Sequence, residues 1–258
     1  MTDDSVRRFY DAFASQYHLI FENWEASMTR QAVAISSILR RETGSGTDLN
    51  VLDCACGIGT QSIGLARLGY HVTGSDLSAG AVERARAEAA VRDINVPFYV
   101  ADVRHLEELP IGDLDAVISM DNALPHLLSD ADLTAAARQM RAKLRPRGIL
   151  LASIRDYDQL VRDRPAVQGP AFYSDSGRRR IVFQVWDWLD DRRYTFHLYI
   201  TCETSSGWTT FHDASDYRAV LREEITAILG SSGFANIRWV LPEDSGFYQP
   251  VVIATAIC

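Results

Sequence analysis

The 258 residues suit one large domain, or a domain with a sizeable insertion, because single cores stop growing at roughly 250–300 residues. A hydrophobic content of 47% with 23% charged residues excludes a disordered or collagen-like chain. The formal net charge of −8 argues against a nucleic-acid partner, and the one basic run, Arg178-Arg179-Arg180, follows Ser-Asp-Ser-Gly and reads as a solvated turn.

No apolar run reaches about 18 residues, so no membrane span is expected. The opening MTDDSVRRFYDAFASQY lacks the apolar core of a secretory signal, so the expected location is cytoplasmic. Of the cysteines Cys54, Cys56, Cys202 and Cys258, the pair Cys54-x-Cys56 has no second pair at ligand spacing. Small apolar fillers are expected there, and no metal.

Residues 1–45 read as helical, with Phe9, Phe13, Tyr17, Ile20 and Phe21, then Ala32, Ile35 and Leu39, at helical spacing. Strands and helices then alternate. Strands are expected at 49–54, 70–74, 97–100, 114–119 and 149–154. Helices are expected at 63–68, at 78–92 with Ser78 as N-cap, and at 130–144. Pro146-Arg147-Gly148 reads as the turn before the fifth strand. This rhythm implies right-handed crossovers and a parallel sheet. It breaks after Ile154, where 180–189 and 193–204 read as an antiparallel hairpin around Asp190-Asp191, followed by 207–211. A helix at 217–229 and strands at 237–241 and 250–256 would close the chain as an antiparallel edge. The fold class is α/β: a Rossmann-like, doubly wound, mostly parallel sheet with an N-terminal helical lid and an antiparallel β insertion after strand five. The expected units are 1–45 (lid), 46–154 (core), 155–218 (substrate cover) and 219–258 (last helix and strands of the core).

The first strand runs into Asp53-Cys54-Ala55-Cys56-Gly57-Ile58-Gly59. Glycines there let a ligand approach the backbone, and a second acid, Asp76, ends the next strand roughly 20 residues on, where it can accept both hydroxyls of a nucleoside ribose. A pyrophosphate beside Asp53, with no Lys or Arg in the loop, would suffer like-charge repulsion of several kcal/mol by order of magnitude. A phosphate-free cationic nucleoside, S-adenosylmethionine (SAM), removes that conflict.

These residues resemble class I SAM-dependent methyltransferases over about 49–154. The family's acid-x-Gly-x-Gly-x-Gly is matched by Asp53-x-Ala55-x-Gly57-x-Gly59. Gly74-Ser75-Asp76-Leu77-Ser78 resembles the ribose motif, Ala101-Asp102-Val103 the adenine motif, and Leu144 to Leu150 the turn before strand five. The resemblance implies that Asp53, Ala55 and Gly57 hold the methionine end, Asp76 and Leu77 the ribose, and Asp102 and Val103 the adenine, with Met120 beside the donor and S-adenosylhomocysteine (SAH) as product.

After strand four, Ser119-Met120-Asp121-Asn122-Ala123-Leu124-Pro125-His126-Leu127 is similar to the glycine N-methyltransferase group, which has Asn and His-Leu at these places and Gly where this chain has Asp121. Ile154-Arg155-Asp156-Tyr157-Asp158 resembles that group's run whose Arg holds a substrate carboxylate. Phe172-Tyr173-Ser174-Asp175 and Gly246-Phe247-Tyr248-Gln249-Pro250 have counterparts lining its pocket. Tyr17 to Trp24, with Arg30, has a counterpart in its helical lid, which places Tyr17 and Trp24 on SAM and Arg30 on the SAM carboxylate. The Tyr-His-Leu-Ile-Phe opening and Ser-Gly-Phe-Tyr-Gln-Pro ending also resemble toxoflavin-type azapteridine N-methyltransferases. The implied catalytic layer is Asp121, Asn122, His126 and Arg155, and the implied acceptor contacts are Asn122, Arg155, Tyr173, Tyr217 and Tyr248. Arg155 pairing at the surface with Asp156 or Asp158, and Trp186 as plain core, are the structural readings beside these.

The expected activity is N-methylation of a small molecule, an amino-acid-like amine or a nitrogen heterocycle, by a monomer or homodimer without nucleic-acid or membrane partners. Small-molecule O-methylation and a NAD(P)-dependent oxidoreductase are the alternatives. The first lacks an evident metal triad, and the second lacks the third glycine spacing and a Tyr-x-x-x-Lys dyad.

Overall fold

The computed structural model describes residues 2–257, and side chains only from Ser5 onward; Cys258, the last of the four cysteines named above, lies outside the described residues. Five strands follow one another in parallel: β1 (Asn50–Asp53), β2 (His71–Asp76), β3 (Phe98–Val100), β4 (Leu114–Ser119) and β5 (Leu144–Ser153). Four antiparallel strands come next: β6 (Val167–Asp175), β7 (Arg178–Trp188), β8 (Arg193–Thr204) and β9 (Gly207–Arg218). β10 (Phe234–Val240) and β11 (Val251–Ala256) return to the first sheet, whose order is β10-β11-β5-β4-β1-β2-β3. β11 lies antiparallel to both β5 and β10.

The central strands are short apolar runs because both faces are covered. Val51 and Leu52 of β1 are fully buried on opposite faces. On one face pack α2 (Trp24–Thr43), α3 (Thr60–Arg67) and α4 (Ala79–Val91), through Ile35, Leu39, Ile63 and Val82. On the other pack α5 (Asp130–Lys143) and α7 (Arg222–Ser231), where Leu133, Met140, Ile225 and Leu229 join the same cluster as Phe9 and Phe13 of α1 (Thr2–Phe13) and the inner face of the second sheet. The strand order reverses at β1, between β2 and β4, so the crevice beyond their carboxyl ends is where a ligand fits.

Several expectations are corrected. Pro146-Arg147-Gly148 is not a free turn before strand five but a bulge within β5. The register jumps from Leu114↔Leu144 to Ala116↔Ile149, and Arg147 sits at φ 63. The basic run is not a solvated turn, because Arg180 is 3% exposed. Its guanidinium binds the Asp175 carboxylate (2.6 Å), donates to the carbonyls of Leu19 and Phe21, and lies over the Tyr173 ring. It ties the second sheet to the 3-10 turn Tyr17–Ile20. The turn itself is Ser176-Gly177, both at positive φ. Tyr217 does not begin a helix. It ends β9 opposite Tyr194, ring on ring at 5.5 Å, because burying two aromatic faces outweighs local helix preference. A helix not foreseen, α6 (Tyr157–Asp163), starts where the Asp156 carboxylate accepts the Gln159 amide.

Candidate functional site

Two cavities meet beyond the carboxyl ends of β1 and β4, and Tyr10, Tyr17 and Asp121 line both.

The first cavity is walled by the β1–α3 turn, the end of β2, and the segments after β3 and β4, with Ala55, Gly57, Asp76, Leu77, Asp102 and Met120 on its surface. Gly57 (φ +51) and Gly59 (φ +90) hold left-handed backbone that glycine adopts without cost, and a Cβ on Gly57 would meet the Tyr17 ring at 3.0 Å. The lid tyrosine therefore packs directly on the turn. The Asp76 carboxylate accepts the amides of Gly57 (2.8 Å) and Ser78 (2.9 Å), so it organises the turn while facing the cavity. Burial raises its pKa, and those two amides oppose the rise. Ser78 caps α4 through the Ala81 amide and donates to Asp11 of α1 (2.5 Å), which also accepts the Gly80 amide, so this end of the cavity latches the N-terminal helix. Val103 lies on the same wall. Asp102 is held by the backbone amide (2.8 Å) and guanidinium of Arg104. Burial works upward on its pKa, but Arg104 outweighs it and keeps Asp102 below the usual carboxylate range.

Asp53 is not at the cavity mouth. It is fully buried under the turn, because its register opposite Gly74 and Ile118 places it inside the sheet. Ser62 of α3 donates to it (2.6 Å). Burial pushes its pKa up to about 7, against the pull of Ser62 and the Ala55 amide. An acid raised this way binds its proton in the folded state and loses it in the unfolded state, so stability falls as pH climbs from about 4 to about 7. Above that window the unpaired anion costs up to roughly 4 kcal/mol. Asp53→Asn is therefore expected to melt several degrees above wild type at pH 8 without ligand, and to converge with it near pH 4. Melting curves across that range check this, and parallel curves for the two proteins would refute it.

The second cavity measures about 730 Å³. It lies between the N-terminal helices, the loops after β4 and β5, and the inner face of the second sheet. Asp121 (φ 57) and Asn122 (φ 68) are consecutive left-handed residues, a strained arrangement that needs outside support and that explains why glycine suits the first place in similar proteins. The support is visible. Asp121 N donates to Ser153 Oγ (2.8 Å) and Asn122 N to the Ser153 carbonyl (3.2 Å). The Asp121 carboxylate accepts Gln61 Nε2 (2.7 Å) and the Tyr248 hydroxyl (2.6 Å). Burial raises its pKa, and both of those donors oppose the rise.

Asn122 also fixes Arg155. Its Oδ1 accepts the Arg155 amide (3.0 Å) and its Nδ2 donates to Tyr157 Oη (3.0 Å), which meets Tyr194 Oη (2.8 Å), which accepts Arg155 Nη1 (3.1 Å). The guanidinium lies over the rings of Trp186 (4.9 Å), Phe196 (5.2 Å) and Tyr217 (5.6 Å). Asp156 and Asp158 do not pair with it but with Arg222, at 3.4 and 2.9 Å. Among the described residues Arg155 has no ion pair to a carboxylate, although it lines the cavity.

His126 lines the first cavity with Nε2 on the Tyr10 hydroxyl (2.8 Å) and its ring 4.0 Å from that of Tyr217. Burial, then the nearby Arg155 charge, push its pKa down to about 3, so it is unprotonated but only weakly basic, and its Nε2 is engaged by a lid tyrosine. Tyr217 and Tyr248 line the second cavity as expected. Three other expectations are corrected. Trp24 lies on neither cavity, because its indole donates to Thr60 Oγ1 (2.9 Å) and its ring faces Arg92 within the α2–α3 packing. Tyr173 lies on neither, because it sits under Arg180 on β6. Arg30 is on the wall of the second cavity, not the first. Tyr10, Gln31 and Gln61 were not anticipated. Gln61 bridges Gln31 of α2 (2.6 Å) to Asp121. Its place two residues after Gly59 was the available signal. Among the described residues no group of three or more His, Cys, Asp or Glu could hold a metal, and no helix is long and apolar enough to cross a membrane.

Comparison with known proteins agrees with this geometry. Residues 51–148 match the family model described as methyltransferase domain. A glycine/sarcosine N-methyltransferase of Parasynechococcus marenigrum is 30% identical over 167 residues, covering 65% of this chain and 57% of that protein. The chain thus matches little more than half the length of such curated relatives. Among solved structures, SAM-bound CalS10, an amino pentose methyltransferase from Micromonospora echinaspora, superposes with a TM-score of 0.72 at 21% identity, over 89% of this chain and 92% of that one. The sugar N-methyltransferase KedS8 from Streptoalloteichus sp. gives 0.74 at 16% identity, over 94% and 93%. At these identities the structures speak for the fold.

Proposed function

We propose that this class I SAM-dependent methyltransferase transfers a methyl group from SAM to an amine nitrogen of a small molecule that carries a carboxylate. One observation carries the reading: the second cavity holds a guanidinium with no carboxylate of its own, joined through Asn122 to Asp121 at the point where the two cavities meet. A partly buried cation in that state is completed by an anionic ligand group.

The first cavity fits the donor. Asp76, at the end of β2 beside the turn where a Cβ on Gly57 would not fit, presents a carboxylate for the ribose hydroxyls, and Asp102 and Val103 flank the space for the base. Asp53 acts from beneath the turn on the charge of the methionine end. Bound SAM supplies an activated methyl and a neutral sulfide leaving group. The rest belongs to the chain. Tyr10 and Tyr17 close the junction against water, and Arg155 and Asp121 hold the acceptor so that its lone pair lies in line. Each oxygen of Asp121 already accepts one hydrogen bond, from Gln61 or Tyr248, and keeps a lone pair with which it orients an N–H of the acceptor. The amine enters neutral, and its new N–C bond leaves an ammonium that sheds one proton to solvent. The N-terminal segment up to Phe21, not α2, which packs in the core, serves as a lid, latched by Asp11 and Arg180.

Nitrogen is favoured over oxygen because a phenol or alcohol needs a base, and His126, held far below the ordinary imidazole range by burial, is a weak base whose Nε2 is engaged by Tyr10. The names of the glycine/sarcosine and sugar N-methyltransferases point the same way. The test has two parts. Calorimetry should show SAH binding at micromolar concentration. Mass spectrometry with SAM should show methyl incorporation into an amino carboxylate and none into the matched hydroxy carboxylate. Absence of SAH binding at millimolar concentration removes the donor assignment, and preferential methylation of the hydroxy acid replaces N- with O-transfer.

A further inference from the structure

The second cavity is far larger than an amine and a carboxylate require. Its 730 Å³ falls in the roughly 300–1,000 Å³ range of sites for drug-sized ligands. Its roof is the inner face of the second sheet, where side chains of one face recur every second residue, about 6.7 Å apart. Cross-strand pairs there are Trp186↔Phe196, then Gln184↔Leu198, then Val182↔Ile200. Arg155 lies under the first pair. Phe196, Leu198 and Val182 all line the cavity, and Phe9, Phe13 and Ile20 of the N-terminal helices face them from below. The lane leading away from the cation is therefore lined by apolar groups from the sheet and from the N-terminal helices, with Gln184 and its cross-strand partner Gln168 as the polar pair beside its middle. Glycine spans less than one row and would leave this surface wet.

We propose that the acceptor is an amino carboxylate with an apolar arm of aromatic size, its carboxylate on Arg155, its amine at Asp121 and its arm along the Phe196–Leu198–Val182 lane. This rests on the methyl-donor reading above and adds the substrate class to it. Burying a phenyl-sized arm in such a lane strengthens binding by about 10- to 100-fold over an acceptor without it.

The test uses the full chain saturated with SAH and titrated by calorimetry with glycine, phenylalanine, phenylalaninamide and phenethylamine. Phenylalanine is expected to bind at least 10-fold more tightly than glycine and at least 10-fold more tightly than either carboxylate-free analogue. Leu198→Trp, which fills the lane, is expected to remove the advantage over glycine while SAH binding persists. Should that variant fail to fold, the four ligands on wild-type protein decide the matter alone. Glycine equal to or tighter than phenylalanine overturns the proposal, as does phenylalaninamide equal to phenylalanine. SAH binding with no preference for the arm strikes this inference only, whereas loss of SAH binding in wild type strikes the donor reading beneath it.

Discussion

Arg155→Met is expected to lower kcat/KM for the acceptor by about 100- to 1,000-fold, to leave SAH affinity within about threefold, and not to lower the melting temperature. The three readouts come from one physical situation. In the free protein Arg155 is a cation held over three aromatic rings with a side-chain hydrogen bond to Tyr194 and, among the described residues, no carboxylate partner. Replacing a buried charge by an apolar side chain of similar length is commonly neutral or stabilising, because desolvation no longer opposes folding. Methionine keeps the stem against Trp186 and Phe196. The acceptor carboxylate, in contrast, loses the guanidinium that Asn122 positions in a drying cavity, and a missing partner for a buried charge costs about 3–5 kcal/mol, the source of the expected loss. Steady-state kinetics, SAH calorimetry and a melting curve on the same preparation check it. Unchanged kcat/KM, or a collapse in stability that accounts for all lost activity, would show that the cation belongs to the packing. Arg155→Lys separates charge from geometry. Lysine keeps the charge but not the planar fork, and is expected to recover less than a tenth of the activity.

How much of this was legible in the chain depends on the range of the interactions. The β–α alternation, the glycine turn and Asp76 were readable because each is set by residues close in sequence. A strand end, a turn and an N-cap at Ser78 satisfy their own backbone groups locally. The antiparallel pairing around Asp190-Asp191 was readable for the same reason, with Asp190 accepting the amides of Arg192 and Arg193 at the turn. What failed was set by distant partners. Arg180 looks like a surface charge until the Leu19 and Phe21 carbonyls arrive from residues more than a hundred positions away. Trp24 was assigned to the donor because the lid resembles one that contacts it, yet its indole is spent on Thr60. Asp53 was read as an acid at the cavity mouth. The motif gave its place at the strand end but not the direction of its side chain, which the register with β2 and β4 turns inward. Asp121 is the opposite case. Its difference from glycine in the resembling family was visible, and only the positive φ shows why glycine suits that place and what Gln61 and Tyr248 do to keep an aspartate in it.

Asp76→Ala is expected to weaken SAH by at least 100-fold, while Arg155→Met barely alters it, and the order of these two effects is the sharper test of the site. One carboxylate in this structure already serves two backbone donors, Gly57 N at 2.8 Å and Ser78 N at 2.9 Å, and faces the cavity with capacity left for the ligand's hydroxyls. Removing it strands two amides at the turn and at the start of α4. A buried donor left unpaired costs about 1–3 kcal/mol, and hydrogen bonds to a charged acceptor contribute about 1.5–3 kcal/mol each. Part of that sum is lost in the free protein as well, so a melting point lower by several degrees should accompany the weaker binding. Asp76→Asn is not a rescue, because its NH2 group must turn either toward the Gly57 amide or toward the Ser78 amide, donor against donor. It is expected to bind SAH little better than alanine does. Measured by calorimetry on folded protein, a larger loss for Arg155→Met than for Asp76→Ala would move the nucleoside out of the first cavity and into the second. Near-wild-type binding by Asp76→Asn would show that the carboxylate shapes the turn without touching the ligand.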